Sequence, residues 1–288
     1  MTRPPHLWRT RTGVLTTEEH TLVMGVLNVT PDSFSDGGRF LEHGAAVAQG
    51  LAMAAAGADL VDVGGESTRP RAEPVEAWEE IDRVVPVVAA LADRGIVVSV
   101  DTSKAEVAEA ALAAGAEIVN DVTALGDPDM AGVVSGAGAG LVLMHMLGTP
   151  RTMQIDPRYD DVVGEVRDFL IGRAADAEVA GVDRDRIAVD PGIGFGKTPA
   201  HNLDLLASVP ALAAAGYPVV VGASRKSFLT AVLGPLDPEE RDAPTAAAHV
   251  LAIAGGAAAI RVHDVVVGLR TARVADAIVR REGGGSGW

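Results

Sequence analysis

Three polar residues at the ends of short apolar runs have the chemistry of a binding site. They are Asp101, Asn120 and Asp190, which supply carboxylate and amide groups with no adjacent histidine. A nucleophilic triad needs a histidine as its general base, so this set does not favour one. The same groups suit a flat ring rich in amide groups, because a carboxylate accepts two parallel N–H bonds. The alternative for Asp101, in Asp-Thr-Ser-Lys, is a helix N-cap.

Lys226 draws attention because the chain has only three lysines, the others being Lys104 and Lys197, against 21 arginines. It follows an apolar run, where a lysine indicates either a compact hydrogen-bond donor or a Schiff-base amine. A solvated cation at the start of a helix is the alternative. For Lys104 and Lys197 functional and surface roles both stay open.

Arg261 and His263 lie two residues apart on the last apolar run, so both side chains point to the same face of a strand. Two cationic donors on one face can hold a phosphate. The alternative for His263 is a hydrogen-bonded core histidine. His145 stands between two methionines and is predicted to be a core residue.

Two of the few aromatic residues lie in glycine-rich segments. Phe34 in TPDSFSDGG and Phe195 in DPGIGFGKT could stack on a planar ligand or plug an apolar gap. The second segment fails the spacing of a phosphate-binding loop, because Pro191 replaces the first glycine. The long segments NVTPDSFSDGGRF and GGESTRPRAEP are predicted to be mobile lids.

The elements that must position these residues are eight apolar runs. They are nearly continuous in Val, Ile and Leu, which is typical of parallel strands covered on both faces. The runs are LVMGVLN (22–28), LVDVGG (60–65), IVVSVD (96–101), EIVND (117–121), LVLMH (141–145), IAVD (187–190), VVVGAS (219–224) and AIRVHD (259–264). Eight strand-helix units predict an α/β protein with a closed (β/α)₈ TIM barrel.

Glycines punctuate these units where helices should end. Each is predicted to form a left-handed helix cap, a conformation cheap only for glycine; they are Gly57, Gly95, Gly115, Gly138, Gly181, Gly216 and Gly256. The structural competitor is an open doubly wound sheet. Against it, no Gly-x-Gly-x-x-Gly follows the first run, and eight units are many for that fold.

The barrel is predicted to be a single domain from 22 to 281. Residues 1–21 are expected to form a hairpin that closes the barrel bottom, and residues 282–288, which are rich in glycine, a flexible tail. The site should lie at the carboxyl ends of the strands, where barrel active sites gather.

Composition excludes several functional classes. The formal charge of −15 argues against nucleic-acid and anionic-membrane partners. The absence of cysteine excludes disulfides, thiolate metal sites and a thiol nucleophile. No apolar segment typical of a secretory signal occurs in MTRPPHLWRTRTG, and glycines interrupt the uncharged stretch 130–150. A cytoplasmic protein without a membrane span is expected.

Eight motifs, in order, resemble those of the dihydropteroate synthase family. They are MGVLNVTPDSFSDGG, GADLVDVGGESTRP, VSVDTSK, IVNDV, LVLMHM, DPGIGFGK, GASRKSF and IRVHDV. The resemblance runs from about residue 22 to residue 280. It implies a cytoplasmic, homodimeric TIM-barrel enzyme of folate synthesis and a target of sulfonamides. Such an enzyme uses Mg²⁺ to join 4-aminobenzoate to 6-hydroxymethyl-7,8-dihydropterin diphosphate.

The resemblance also implies a role for each matching residue. The pterin would be held by Asp101, Asn120, Asp190, Lys226, Met144, Gly222 and Phe195. The diphosphate would be held by Arg261, His263 and Asn28, with Asn28 also near the metal. The aminobenzoate site would be formed by Phe34, Thr68, Arg69, Pro70 and Ser227, with Phe195 contributing. Catalysis would fall to Arg261, His263, Lys226 and Asp101.

We expect the diphosphate to leave before the amine attacks, because the dihydropterin ring can spread the resulting positive charge. A neutral aniline then needs orientation rather than a strong base. The alternatives are a non-catalytic pterin-binding paralogue, a methyltetrahydrofolate-corrinoid methyltransferase and a Schiff-base aldolase using Lys226. The methyltransferase has no diphosphate to hold and should not combine SRK with RVHD.

Overall fold

A computed structural model of the protein describes residues 6–30, 39–68 and 72–281, without the side chains of residues 39–42. The chain opens with a hairpin of strands β1 (Leu7–Arg9) and β2 (Val14–Thr16), which pair antiparallel with Trp8 opposite Leu15. The predicted N-terminal hairpin is therefore present.

Eight parallel strands follow in the part of the chain that the structure describes. They are β3 (Leu22–Asn28), β4 (Leu60–Gly64), β5 (Val98–Asp101), β6 (Ile118–Asp121), β7 (Gly140–Met144), β8 (Ile187–Asp190), β9 (Val220–Val221) and β10 (Ala259–Val262). Their order is β8-β7-β6-β5-β4-β3-β10-β9, and a bridge between Val189 and Val219 joins the two ends. The sheet closes into the predicted TIM barrel.

Ten helices within the described residues surround the strands. They are α1 (Arg39–Ala55), α2 (Ala77–Ala92), α3 (Ala105–Ala113), α4 (Met130–Ala137), α5 (Val162–Val179), α6 (Pro199–Ala207), α7 (Val209–Ala213), α8 (Phe228–Leu233), α9 (Asp242–Ala254) and α10 (Val265–Val279). None of them is long and apolar enough to span a bilayer. All seven glycines predicted as caps have positive φ; Gly138, at φ 61°, ends α4 in the left-handed region.

Strand alternation sorts the core into two parts. Outward-facing residues such as Val61, Val119 and Ile260 pack against the helices in one continuous apolar cluster. Inward-facing residues near the strand starts form a second cluster around Trp8. Its other buried members are Leu22, Met24, Leu60, Ile118, Val142, Ala188, Val220 and Ala259.

Trp8 closes the bottom of the barrel. Its side chain is 1% exposed, and its indole N–H donates to the Arg186 carbonyl oxygen at 2.9 Å. The hairpin therefore plugs the end of the barrel opposite the carboxyl ends of the strands, as the sequence predicted. The boundaries at residues 21 and 281 stay a proposal, and the predicted flexible tail lies outside the described residues.

Candidate active site

Strand register brings the predicted site residues together. Asp101 on β5 is paired with Asn120 on β6, and Met144 on β7 with Asp190 on β8. Each of these residues lies near the carboxyl end of its strand and is buried. On the inward face Asn120 lies two positions after Ile118, and Asp190 lies two positions after Ala188. A polar layer therefore lies directly above the apolar bottom.

Arg261 is the centre of this polar layer. Its Nη2 donates to Asp101 Oδ2 and its Nε to Asp62 Oδ2, both at 2.6 Å. The three side chains are 18%, 9% and 0% exposed, in the order Arg261, Asp101, Asp62. One guanidinium thus ties β10 to β4 and β5 across the barrel interior, through charge-assisted hydrogen bonds.

Asp62 is a site residue that the sequence analysis missed. Its Oδ2 also accepts from Asn120 Nδ2 at 3.0 Å, so it joins Arg261 to Asn120. Within the described residues, Asp62 Oδ1 and the hydroxyl of its neighbour Ser99 have no hydrogen-bond partner. A signal was available: Asp62 is an acidic residue in the middle of the apolar run LVDVGG, where a buried charge needs a partner.

Burial and the neighbouring charges together raise the pKa values of both Asp101 and Arg261. Burial raises the pKa of Asp101 to about 7, against the lowering effect of Arg261, and Asp62 adds to the rise. Burial alone would lower the pKa of Arg261, but Asp62 and Asp101 more than compensate and raise it. Arg261 therefore stays charged, whereas burial favours the protonated form of Asp101.

Asp190 faces the same space from β8. Its Oδ1 accepts from the Gly192 backbone N–H at 2.7 Å, and no donor among the described residues is bonded to its Oδ2. Burial raises the pKa of Asp190, partly offset by Lys226. A Cβ at Gly222 would lie 3.6 Å from Arg261 Cβ and 3.9 Å from Asp190 Oδ2. The glycine therefore leaves room between these two side chains.

Lys226 lies in the turn after β9. Its Nζ donates to the Ile193 carbonyl oxygen and lies 4.3 Å from the centroid of the Phe195 ring. Burial lowers the pKa of Lys226 to about 7; the effect of Asp190 opposes the shift. The preceding residue, Arg225, has φ 57°. Its guanidinium donates two hydrogen bonds to the Asp242 carboxylate, from Nε to Oδ1 at 2.7 Å and from Nη2 to Oδ2 at 2.8 Å. That ion pair fixes the strained turn that presents Lys226.

An apolar wall lies beside these charges. Met144 and Phe195 are 4% and 9% exposed and belong to a small cluster with Val122 and Met153. Together with Gly222 they offer apolar surface next to Asp190 and Lys226. The arrangement suits a flat ring that is apolar on its faces and polar at its edge.

His263 and Asn28 lie at the rim. His263 Nδ1 is 3.0 Å from Ser224 Oγ, and its backbone N–H donates to the same hydroxyl at 3.2 Å. Asn28, at the end of β3, is partly exposed. Arg261 lies on β10, but the strand ends at Val262, so His263 follows it in a bend and the prediction that both residues lie on one strand is wrong. Arg261 contacts the carboxylates, whereas His263 contacts Ser224.

The predicted aminobenzoate residues are only partly described. Phe34, Arg69 and Pro70 lie outside the described residues. Thr68, the last residue before that gap, is partly exposed, and Ser227 is exposed at the N-cap of α8. The part of this site formed by these loops stays a prediction.

Lys197 and His145 form a second polar pair that the sequence did not reveal. Lys197 Nζ is 2.9 Å from His145 Nδ1, and the two side chains are buried. The predicted core position of His145 is confirmed. The two residues are 52 positions apart in the chain, so no local sequence pattern predicts their contact.

Comparison with known proteins places the chain in a family. A family model described as pterin binding enzyme matches residues 24–263. A dihydropteroate synthase of Mycobacterium leprae is 50% identical over 251 residues, which cover 84% of this chain and 88% of the relative. The chain belongs to the dihydropteroate synthase family. The resemblance read from the sequence motifs is therefore confirmed.

Solved dihydropteroate synthases share the fold. One, from Xanthomonas albilineans with 4-aminobenzoic acid, has a TM-score of 0.86 and 48% identity, covering 92% of this chain and 95% of that one. Another from the same organism, in complex with 7,8-dihydropteroate, has a TM-score of 0.83 and 45% identity, with the same coverage. The barrel described above is the dihydropteroate synthase barrel, and the family is one of transferases.

Proposed function

We propose that this chain transfers a dihydropterinylmethyl group from 6-hydroxymethyl-7,8-dihydropterin diphosphate to 4-aminobenzoate, giving 7,8-dihydropteroate and diphosphate. The observation that carries the proposal is the buried layer of carboxylates around Arg261, at the mouth of a barrel that belongs to this family. The layer combines acceptors for a ring with N–H groups and a cation for a leaving anion.

We assign the pterin ring to the space beside Asp190 that Gly222 leaves open. Asp190 Oδ2 is available to accept a ring N–H, and a carboxylate can take two parallel N–H bonds from an amino-pyrimidinone edge. Asn120 supplies an amide, and Lys226 Nζ lies beside Phe195. In this dry setting a pterin lacking one of these partners would bind more weakly, because an unpaired buried polar group is costly.

Arg261, His263 and Asn28 are the residues we assign to the diphosphate. Mg²⁺ fits this end of the site by its donor chemistry. Asn28 offers an amide oxygen, and no group of three acidic or histidine side chains among the described residues could hold a metal alone. Mg²⁺ commonly combines one or two protein ligands with phosphate oxygens and water. When bound, it would neutralise charge on the leaving diphosphate.

The reaction follows from where the charges lie. The bond between the exocyclic methylene carbon and the diphosphate oxygen breaks with its electron pair going to oxygen, next to Arg261. The positive charge left on the dihydropterin is stabilised by the buried carboxylates Asp62, Asp101 and Asp190. The neutral aniline nitrogen then forms the new C–N bond and loses a proton to solvent. No strong general base is required.

The test is direct. The purified chain is mixed with the dihydropterin diphosphate, 4-aminobenzoate and Mg²⁺, and both dihydropteroate and diphosphate are followed. Formation of both, lost on chelation of the metal, is the expected result. Pterin binding without product would contradict the proposal and favour the non-catalytic paralogue. Methyl transfer from methyltetrahydrofolate, or borohydride trapping of Lys226 with a carbonyl substrate, would favour the other two alternatives.

We also propose that the chain forms a homodimer. Apolar side chains are exposed on the outer helices: Leu251 on α9 is 66% exposed, and Val274 and Ile278 on α10 are 60% and 67% exposed. Such side chains favour a covered face. Sedimentation equilibrium tests this, with a monomer mass as the contradicting result. The cytoplasmic location stays a prediction.

A further inference from the structure

Lys197 is a buried ionisable group with no role in the mechanism above. Lys197 is only 2% exposed, which is unusual for a lysine. Within the described residues, no carboxylate lies within ion-pair distance of it. A buried amine without a counter-ion is destabilising, because burial disfavours its charged form. Accordingly, burial lowers the pKa of Lys197 to about 7, and Lys226 adds to this effect.

The contacts of Lys197 are all to neutral acceptors. Its Nζ is 2.9 Å from His145 Nδ1 and donates to the Phe195 carbonyl oxygen at 2.9 Å. A longer bond of 3.4 Å reaches the His145 carbonyl oxygen. Burial lowers the pKa of His145 to about 3, so its ring is neutral at physiological pH and Nδ1 can accept. Lys197 therefore joins the end of β7 to the loop after β8.

That loop has four successive carbonyl oxygens, each bonded to a different side chain. The pairs are Ile193 with Lys226, Gly194 with Gln154 at 2.7 Å, Phe195 with Lys197 at 2.9 Å, and Gly196 with Tyr159 at 2.9 Å. The backbone has positive φ at Gly192, Gly194 and Gly196. Such a path cannot form a regular ladder, so its carbonyl groups need side-chain donors. Lys197 supplies the donor next to the aromatic ring.

The position of the loop sets the position of Lys226. Lys226 donates to Ile193 and lies over the Phe195 ring. A shift of the Phe195 carbonyl would move both the ring and the neighbouring acceptor. An error of about 1 Å in a supporting group is enough to weaken a site.

We propose that Lys197 is a positioning residue that fixes the loop 191–198, and through Phe195 and Ile193 holds Lys226 for the pterin ring. Lys197 does not itself touch the substrate. The inference rests on the proposed function for the identity of the ligand. A methionine would fill about the same volume without the free-energy cost of a buried amine. The hydrogen bonds of the amine therefore serve to orient the loop rather than to stabilise the fold.

The experiment compares Lys197→Met with a matched control, Lys104→Met. Lys104 belongs to a different loop and contacts Glu66 and Glu80. Affinity for a pterin without the diphosphate is measured by calorimetry, and KM and kcat are measured for both substrates. Thermal unfolding verifies that each variant is folded. Lys197→Met is expected to weaken pterin binding by about tenfold, the scale common for groups that orient a ligand-contacting residue. KM for the pterin substrate should rise more than kcat falls.

A second variant keeps the test decisive. Lys197→Gln retains an N–H donor and should recover part of the lost affinity. A folded Lys197→Met protein that binds the pterin as tightly as the wild type would overturn the inference. A Lys197→Gln protein that binds no more tightly than Lys197→Met, or an equal loss in Lys104→Met, would overturn it as well. Failure of the proposed function looks different, because the wild-type protein itself would form no dihydropteroate.

Discussion

Two layers inside the barrel differ in chemistry although the same strands build them. The lower layer holds Leu60, Ile118, Ala188 and Ala259 around Trp8. Two residues further along the same strands, the upper layer holds Asp62, Asn120, Asp190 and Arg261. Strand alternation directs both sets inward. A step of two residues therefore separates a layer that stabilises the fold from a layer that binds a ligand.

The contrast shows how the barrel tolerates a charged interior. The lower layer excludes water and contributes apolar burial, whereas the upper layer buries charges whose desolvation offsets much of their attraction. Variants of the lower layer should change stability without changing chemistry. Variants of the upper layer should change the chemistry, and a variant that leaves a buried charge unpaired should lower stability as well. The predictions below test that contrast.

Trp8→Ala has the largest expected effect. It removes the largest side chain of the lower layer and leaves a cavity, so the free energy of unfolding should fall by about 3–5 kcal/mol. Chemical denaturation measures this change. At temperatures where the variant is folded, kcat should match that of the wild type. A large loss of kcat in folded protein would show that the layers are not separate.

Arg261→Ala should be the most damaging change for chemistry. The leaving diphosphate loses its cationic partner, and kcat should fall by about 10²–10³, as for other groups that stabilise developing charge. Binding of a pterin without the diphosphate should be nearly intact, which calorimetry measures. Loss of that binding would instead assign Arg261 to the pterin ring.

Asp62→Asn sharpens the comparison within the upper layer. The variant keeps the shape but weakens the hold on Arg261 Nε, so kcat/KM should fall by about tenfold through misorientation of Arg261. Ser99→Ala is the matched control, because Ser99 lies beside Asp62 in register and its hydroxyl has no partner within the described residues. Steady-state kinetics should show no change for the control. Equal losses in both variants would remove Asp62 from its positioning role.

The smallest expected effect is on pH-dependent stability. The pKa of Lys197 is about 7 in the folded protein, below its ordinary value of 10.5, so the unfolded chain binds more protons between these pH values. The contribution of Lys197 to stability therefore rises with pH in this range, by about 1 kcal/mol between pH 7.5 and pH 8.5. Denaturation of wild-type protein and Lys197→Met at both pH values should reveal that difference in slope. Parallel slopes would contradict the lowered pKa.

Local patterns determined the fold to a large degree. The continuous run at 22–28 forms a strand with the predicted ends, and Gly138 has the predicted left-handed conformation. The run at 219–224 is predicted longer than it is, because β9 keeps only Val220 and Val221 in regular pairing. Its remaining residues turn away to present Lys226.

The sequence by itself determined the strands, the helix caps and the polar residues at the strand ends, because periodicity and glycine placement report on backbone and burial within a few residues. Only the tertiary structure decided which polar side chains contact one another. Arg261 meets Asp62 across 199 residues, and Lys197 meets His145 across 52. Those contacts exist only once the sheet closes, since closure and register bring distant strand ends to one place.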